Sequence, residues 1–323
     1  MLDKNGRSID YLRISITDRC NLRCIYCMPE EGVCAMEHTQ ILKFEEIVRL
    51  VRIMTGLGIR HLRITGGEPM ARRSCLKLVK QLNEVPGVES ISMTSNGILL
   101  RDKVHEAKES GITSLNISID ALDPDTYSQL TRGGDVGQAL STFRQALDEG
   151  MNVKINTVPV RGINEKDLAA IASLARENPV CVRFIELMPI GSGSRVERIP
   201  SAEVMELLQG AYGKPETDDA PHGHGPARYV RYPGFQGSVG FISAVSHEFC
   251  ETCNRVRLTA DGRLKLCLNH TKGIDLRQML RRGAEDGEIL EAVRSAIEEK
   301  PDRHAFYEQI SDHENRSMNE IGG

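Results

Sequence analysis

Six of the nine cysteines in this 323-residue sequence fall into two triplets near its opposite ends. The first is Cys20-Asn21-Leu22-Arg23-Cys24-Ile25-Tyr26-Cys27, a C-x3-C-x2-C run, and the second is Cys250-x2-Cys253-x13-Cys267. A cuboidal 4Fe–4S cluster normally takes four thiolates, one per iron. Three thiolates leave one iron open, as an open position marks a catalytic zinc, and an open iron can bind a small molecule directly. Two such clusters in one chain would form a reaction centre, not a wire. Zinc is the competing use: Cys24, Cys27, Cys250 and Cys253 could share one ion, which would strand Cys20 and Cys267. The odd cysteine count, with no signal peptide and no apolar run of membrane-spanning length, fits a reducing cytoplasm better than a disulfide framework. Cys34, Cys75 and Cys181 stand alone and read as buried free thiols.

The elements that must position these cysteines are short β-rich runs alternating with helical ones. Strands are predicted at 12–17, 61–65, 90–95, 114–119, 153–158 and 180–187. Between them lie amphipathic stretches such as Phe44-Glu45-Glu46-Ile47-Val48-Arg49-Leu50-Val51. Six βα units in series give an α/β fold, a partial (β/α)6 TIM-like barrel. The strands alternate rather than run continuously apolar: Arg13, Ser15 and Thr17; Arg63 and Thr65; Asn116 and Ser118; Lys154 and Asn156. Period two places each polar set on one strand face, so the lumen is predicted to be polar and partly cationic. The usual barrel interior is plugged with Val, Ile and Leu.

A helix is expected at 201–212. The Gly, Pro and His-rich stretch Asp218–Pro226 then reads as a solvent loop, with His222 and His224 at a spacing that needs no metal. This marks a boundary between a core, residues 4–225, and a C-terminal α+β domain, residues 226–323, that covers the open side of the barrel. In the second part a strand is predicted at 238–243, a hairpin turning on Asp261-Gly262, and helices near 274–282 and 289–300. The net charge of −4 and an aromatic content of 4% with no tryptophan argue against nucleic acid or an anionic membrane as partner.

The first triplet directly follows the first strand, at the barrel face where such folds build active sites. Thr65-Gly66-Gly67-Glu68-Pro69 follows the second strand at the same face; its glycines admit close approach, and Glu68 could accept from an ammonium group. Together these motifs resemble the radical S-adenosylmethionine (SAM) superfamily. The second triplet, in Cys250-Glu251-Thr252-Cys253-Asn254-Arg255-Val256-Arg257-Leu258-Thr259-Ala260-Asp261-Gly262, narrows the likeness to the GTP 3′,8-cyclase family. Gly225–Tyr229, Gly240–Ser243 and the closing Gly322-Gly323 match its pattern as well. Thr94-Ser95-Asn96-Gly97, where Thr-Thr is usual, and the stretch 35–40 depart from it.

The resemblance implies two 4Fe–4S clusters, on Cys20, Cys24 and Cys27 and on Cys250, Cys253 and Cys267. It implies SAM contacts from Tyr26, Gly67, Ser118 and Met188, and GTP contacts from Arg13, Arg63, Thr94, Lys154, Arg255, Val256 and Arg257, with Arg183 able to join them. The implied lyase reaction begins molybdenum cofactor biosynthesis: an adenosyl radical takes hydrogen from C3′ of GTP, C3′ attacks C8, and 3′,8-cyclo-7,8-dihydro-GTP results. It further implies an external one-electron donor, delivery of the product to cyclic pyranopterin monophosphate synthase, a monomer or homodimer, and a Gly-Gly tail that enters the lumen. A peptide-modifying radical SAM enzyme is the rival of the same class, and a redox-sensing iron–sulfur or zinc module the rival of another.

Overall fold

The computed structural model describes residues 1–308 and 314–323. Six strands appear where period-two alternation predicts them: β1 (Tyr11–Ser15), β2 (His61–Thr65), β3 (Ser90–Ser95), β4 (Ser114–Ser118), β5 (Asn152–Thr157) and β6 (Cys181–Ile185). Successive members pair in parallel and in sequence order. The crossovers carry α1 (Phe44–Thr55), α2 (Cys75–Asn83), α3 (Val104–Glu109), α4 (Pro124–Thr131), α5 (Val136–Asp148) and α6 (Leu168–Glu177). Helix α4 begins at an Asp123–Pro124 pair in which the carboxylate accepts the Thr126 N–H, a side-chain cap with proline inside the first turn.

The apolar halves of the strands pack under these helices. Leu12, Ile14, Leu62, Ile64, Ile91, Met93, Leu115, Ile117, Ile155 and Val182 are buried, as are Ile47, Leu50, Val51 and Met54 of α1. Each such side chain contributes roughly 1.5–3 kcal/mol by leaving water. That burial fixes the register, because a one-residue slip would turn every arginine of the opposite face into the core.

The rest of the chain extends the sheet at both edges as well as covering it. After α7 (Ser201–Tyr212) come β7 (Glu216–Asp218), β8 (Arg228–Arg231), β9 (Ser238–Ile242), β10 (Arg255–Leu258), β11 (Arg263–Lys265) and β12 (Gly273–Asp275). Strand β9 joins β6 in parallel and β10 joins β1 in parallel, so eight strands run the same way. Antiparallel β8–β7 and β11–β12 finish the two edges, and the sheet stays open. The chain ends with α8 (Leu276–Arg281), α9 (Asp286–Glu298) and α10 (Met318–Ile321).

Two expectations are corrected here. The helix predicted from 274 starts at Leu276, because Asp275 caps it by accepting the Gln278 N–H while Ile274 pairs with Leu264 in the sheet. Cys34 is exposed, in a loop with no apolar cover, whereas Cys75 and Cys181 are buried as expected.

Gly240 of β9 lies opposite Arg183 of β6, and a Cβ built on it would stand 2.7 Å from the Tyr229 ring and 3.0 Å from Arg183 Cγ. Gly240→Val should therefore overpack this edge, at a cost of about 1–3 kcal/mol. Thermal unfolding of the metal-free protein, with Val239→Ile as a control on the same strand, measures it.

Candidate active site

The first triplet occupies the loop that leaves β1, and it is held by the turn that leaves β2. Gly67 N–H donates to the Thr17 carbonyl at 2.7 Å, and Glu68 N–H to Arg19 at 2.8 Å. The two backbones meet so closely that a Cβ on Gly67 would stand 2.4 Å from the Arg19 oxygen. Glycine is required here by contact with backbone, not by a turn. Burial is the main cause that raises Cys24 and Cys27; Asp120, Cys27 and Cys20 add to it for Cys24, and Cys20 for Cys27. Burial pushes Cys20 up to about 11 and Cys27 up to about 12.

Around this loop, groups at the C-terminal ends of the strands are tied down. Glu68, buried and raised to about 6 by that burial, accepts from Ser95 Oγ, Met70 N–H and Asn96 N–H. It is a brace between β2 and β3 before it is an acceptor for any ligand ammonium. Tyr26 donates its hydroxyl to Asp120 at 2.6 Å, and burial lifts Asp120 to about 6. Asn96 reaches both Asn21 Oδ1 and, at 3.9 Å, the Cys20 sulfur.

The second triplet lies at the other end of the lumen. Cys253 immediately precedes β10, which is parallel to β1, and Cys267 closely follows β11, which is antiparallel to β10. Both therefore sit at the N-terminal end of the parallel strands, opposite the first triplet. Burial would raise Cys253, but the charges of Arg255 and Lys300 and hydrogen bonds from Arg255 outweigh it and hold the thiol down at about 7.

Between the triplets runs a cavity of about 340 Å³ lined by Arg13, Arg63, Arg183, Arg255 and Arg257. Among the described residues, none of these five makes an ion pair with a carboxylate side chain. Arg13 has a buried Nε with no hydrogen-bond partner among the described residues. Its basicity falls well below the usual guanidinium value through burial and then the charges of Arg257 and Arg63. Arg257 is pushed down to about 10 by burial and Arg255. Arg183 is held by Asn156 and Asn116, and Arg63 by Tyr11 and Thr94. Into this space comes the end of the chain. Arg257 donates to the Gly322 carbonyl at 2.8 Å, and Arg13 donates to Gly323.

A family profile described as Radical SAM superfamily matches residues 14–175, and one described as Molybdenum Cofactor Synthesis C matches 180–306. GTP 3',8-cyclase of Pelotomaculum thermopropionicum is 46% identical over 327 residues, with all of both chains covered. The GTP 3',8-cyclases of Clostridium perfringens strain 13 and Petrotoga mobilis are 42% and 44% identical, again over both full lengths. The chain belongs to the GTP 3′,8-cyclase family.

SuiB of Streptococcus suis bound to S-adenosylmethionine superposes with a TM-score of 0.64 at 13% identity, covering 89% of this chain and 68% of that one. That likeness is one of fold. Membership in a radical SAM family brings SAM and an iron–sulfur cluster, and the residues present fit both. Cys24 and Cys27 face the cavity with Tyr26, Gly67, Ser118 and Met188, while Cys20 does not line it and its sulfur accepts the Leu22 N–H at 3.4 Å. Cys250, Cys253 and Cys267 face the same cavity from the far end, a second donor set of three thiols without a fourth cysteine.

Not every residue expected of a GTP 3′,8-cyclase reaches the lumen. Val256 is fully buried on the apolar face of β10, so only its backbone is near the ligand space. Lys154 does not line the cavity. Its ammonium, lowered to about 8 mainly by burial, is bonded to the His222 carbonyl. The Asp218–Pro226 stretch is a largely exposed loop, as expected, but it passes over the N-terminal end of the barrel with the His222 side chain tucked in. His222 bridges Cys181 and Asp218, at 3.2 and 3.0 Å, and His224 stacks on His61 with ring centroids 3.4 Å apart. Asp120, Asn96 and Asn319 were not anticipated. Asn319 donates its side-chain amide to the Asp18 carbonyl and its main-chain N–H to the Cys27 sulfur. Its helix does carry a sequence signal, the Ser317–Glu320 capping box.

Cys253 should differ from the cysteines of the first triplet in thiol chemistry before metal arrives, since only the thiolate is nucleophilic. In metal-free protein, alkylation of Cys253 should rise through a midpoint near pH 7 as its proton leaves, while Cys27, held near 12, stays slow across the same range. Peptide mass spectrometry after timed iodoacetamide pulses reads both; equal rates at pH 7.5 would contradict the assignment.

Proposed function

We propose that this chain is a GTP 3′,8-cyclase, a lyase that uses SAM and two 4Fe–4S clusters to convert GTP to (8S)-3′,8-cyclo-7,8-dihydroguanosine 5′-triphosphate. This is the first step of molybdenum cofactor biosynthesis. The observation that carries the reading is the lumen: five inward guanidiniums, without a carboxylate side-chain partner among the described residues, lie between two open thiol triplets. Converging guanidiniums are what a triphosphate requires.

When bound, the first cluster with SAM supplies a hydrogen-abstracting radical, and the second supplies an open iron for the guanine base. The chain's own residues do the rest. Cys20, Cys24 and Cys27 hold the first cluster, with Tyr26, Gly67, Ser118 and Met188 around SAM. Cys250, Cys253 and Cys267 hold the second. Arg13, Arg63, Arg255 and Arg257 take the phosphates and bring C3′ and C8 of one nucleotide together, where a fixed geometry substitutes for an improbable collision. Thr94 hydrogen-bonds to Arg63 and can aim it. Arg183, clamped by two asparagines, sets the far wall. Residues 4–225 serve the radical step and 226–323 bring the second cluster. An external one-electron donor would supply reducing equivalents in the cytoplasm, and cyclic pyranopterin monophosphate synthase would take the product from a monomer or homodimer. Among the described residues, no helix is long and apolar enough to cross a membrane.

Incubation of reconstituted protein with GTP, SAM and dithionite without oxygen should give the cyclised nucleotide by mass spectrometry and NMR, with two clusters by iron and sulfide analysis. SAM cleavage without that product would reject the assignment.

Cys24→Ser should abolish SAM cleavage, because a hydroxyl is a poor iron ligand. Cys253→Ser should spare the first cluster's spectrum and some uncoupled SAM cleavage while preventing cyclisation. Arg257→Ala should weaken GTP binding about 10- to 100-fold, following the ~1.5–3 kcal/mol of a charge-assisted hydrogen bond, and weaken guanosine binding less. Lys154→Ala should cost less than Arg257→Ala, since Lys154 must first release the His222 carbonyl. Removing Gly322 and Gly323 should leave both clusters loaded but lower cyclised product per SAM consumed. Full turnover by the truncated protein would exclude a role for the tail.

A further inference from the structure

His304 stands beside the second triplet without a partner of its own. Its side chain is 12% exposed, and both ring nitrogens are shielded from solvent without a hydrogen bond among the described residues. Buried polar atoms are nearly always paired, because an orphaned one forfeits its bonds to water. The Ala244 carbonyl faces the ring but meets neither nitrogen at hydrogen-bonding geometry. Phe306 packs against the ring, with centroids 4.2 Å apart, and the His304 main-chain N–H donates to the Cys250 sulfur. The ring therefore has a fixed place in the cavity wall.

What surrounds it is a metal-site arrangement. A ring nitrogen of His304, the Cys250 sulfur and a Glu248 carboxylate oxygen all lie within 4.8 Å of one another. Glu248 Oε1 is 3.8 Å from Nε2, too far for a bond but on the side where an outer carboxylate stands behind a metal-bound imidazole. Such a partner takes one ring N–H and leaves the other nitrogen's lone pair for the metal. Neutral imidazole can replace cysteine on iron in iron–sulfur centres. The second triplet lacks a fourth cysteine, and among the described residues His304 offers an unpaired ring nitrogen beside Cys250.

We propose that His304 ligates the open iron of the second cluster while GTP is absent, and that the guanine base displaces it. This rests on the reading that the second triplet holds a cluster that receives the base. The exchange is a ligand substitution: one iron–nitrogen bond breaks, one bond from iron to a guanine donor atom forms, and no electron or proton changes hands. His304 thereby keeps water and small thiols off the iron. It also weakens apparent GTP affinity by the fraction of protein in which the iron is already occupied.

The test uses the full chain with Cys20, Cys24 and Cys27 changed to alanine, so that only the second cluster forms. It is labelled with 15N-histidine, reduced with dithionite and studied by pulsed EPR. A strong coupling from directly bonded histidine nitrogen should appear without GTP, vanish on adding GTP, and be missing in His304→Ala. In the otherwise unchanged chain, His304→Ala should bind GTP several-fold tighter, whereas a residue that merely shaped the pocket would bind it more weakly when lost. No histidine coupling without GTP, a coupling that survives His304→Ala, or only the weak coupling of an N–H···S contact would overturn the ligation. A coupling unchanged by bound GTP would overturn the displacement. Should His304→Ala fail to hold its cluster, the labelled parent with and without GTP decides the matter alone. Histidine coupling in a protein that binds no GTP would count against the proposed function and leave the iron–nitrogen bond standing; a chain that takes up no second cluster would overturn both.

Discussion

Like charge held at close quarters organises this molecule. Burial and then the charges of Arg257 and Arg63 lower the basicity of Arg13, and burial and Arg255 lower that of Arg257. An empty lumen of this kind is costly, because buried guanidiniums need counter-charge or hydrogen-bond acceptors. The protein supplies neutral acceptors: Tyr11, Thr94, Asn116, Asn156 and the carbonyl of Gly322. These are weak substitutes for a polyanion, which leaves the site strained toward the ligand it is built to take.

The carboxylates of the cavity sit elsewhere and serve other ends. Glu68, Asp120 and Glu186 all lie at the C-terminal ends of strands, and each accepts N–H or O–H donors from neighbouring loops. They stitch the βα loops that carry the first triplet, while the arginines occupy the mid-lumen and its opposite end. This separation of sign along the barrel axis gives the cavity a direction.

Much of this was legible in the sequence because two of its signals are strictly local. Cysteine spacing identifies a three-thiolate loop without any fold, and Arg13, Arg63, Asn156 and Arg183 alternate with apolar neighbours so regularly that their common face follows from the pleat. The strands that complete the sheet were harder to place. Val239 and Val256 read as ordinary strand residues, but nothing near them in sequence says that one pairs beside Val182 and the other beside Leu12. The inward turn of His222 escapes the sequence for a related reason. Glycine, proline and histidine suggest solvent by composition, yet the end of a barrel has to be closed by whichever segment passes it. Asp120 and Asn96 were invisible because a single polar residue after a strand acquires its meaning only from the loops beside it.

The pairing of β1 with β10 has a consequence for how the protein comes into being. Tyr11 leaves the ribosome long before its ladder partner Arg255, which emerges only after β2 to β9 have been made. Until then β1 is an uncovered edge in a growing parallel sheet, the kind of edge that recruits foreign strands. During that interval the first triplet can already be shaped by contacts with the β2 turn, whereas the second cannot exist. The thiols of the first triplet can thus be gathered while later strands are still being made, whereas those of the second come together only after Cys267 has followed β10 and β11 out of the ribosome.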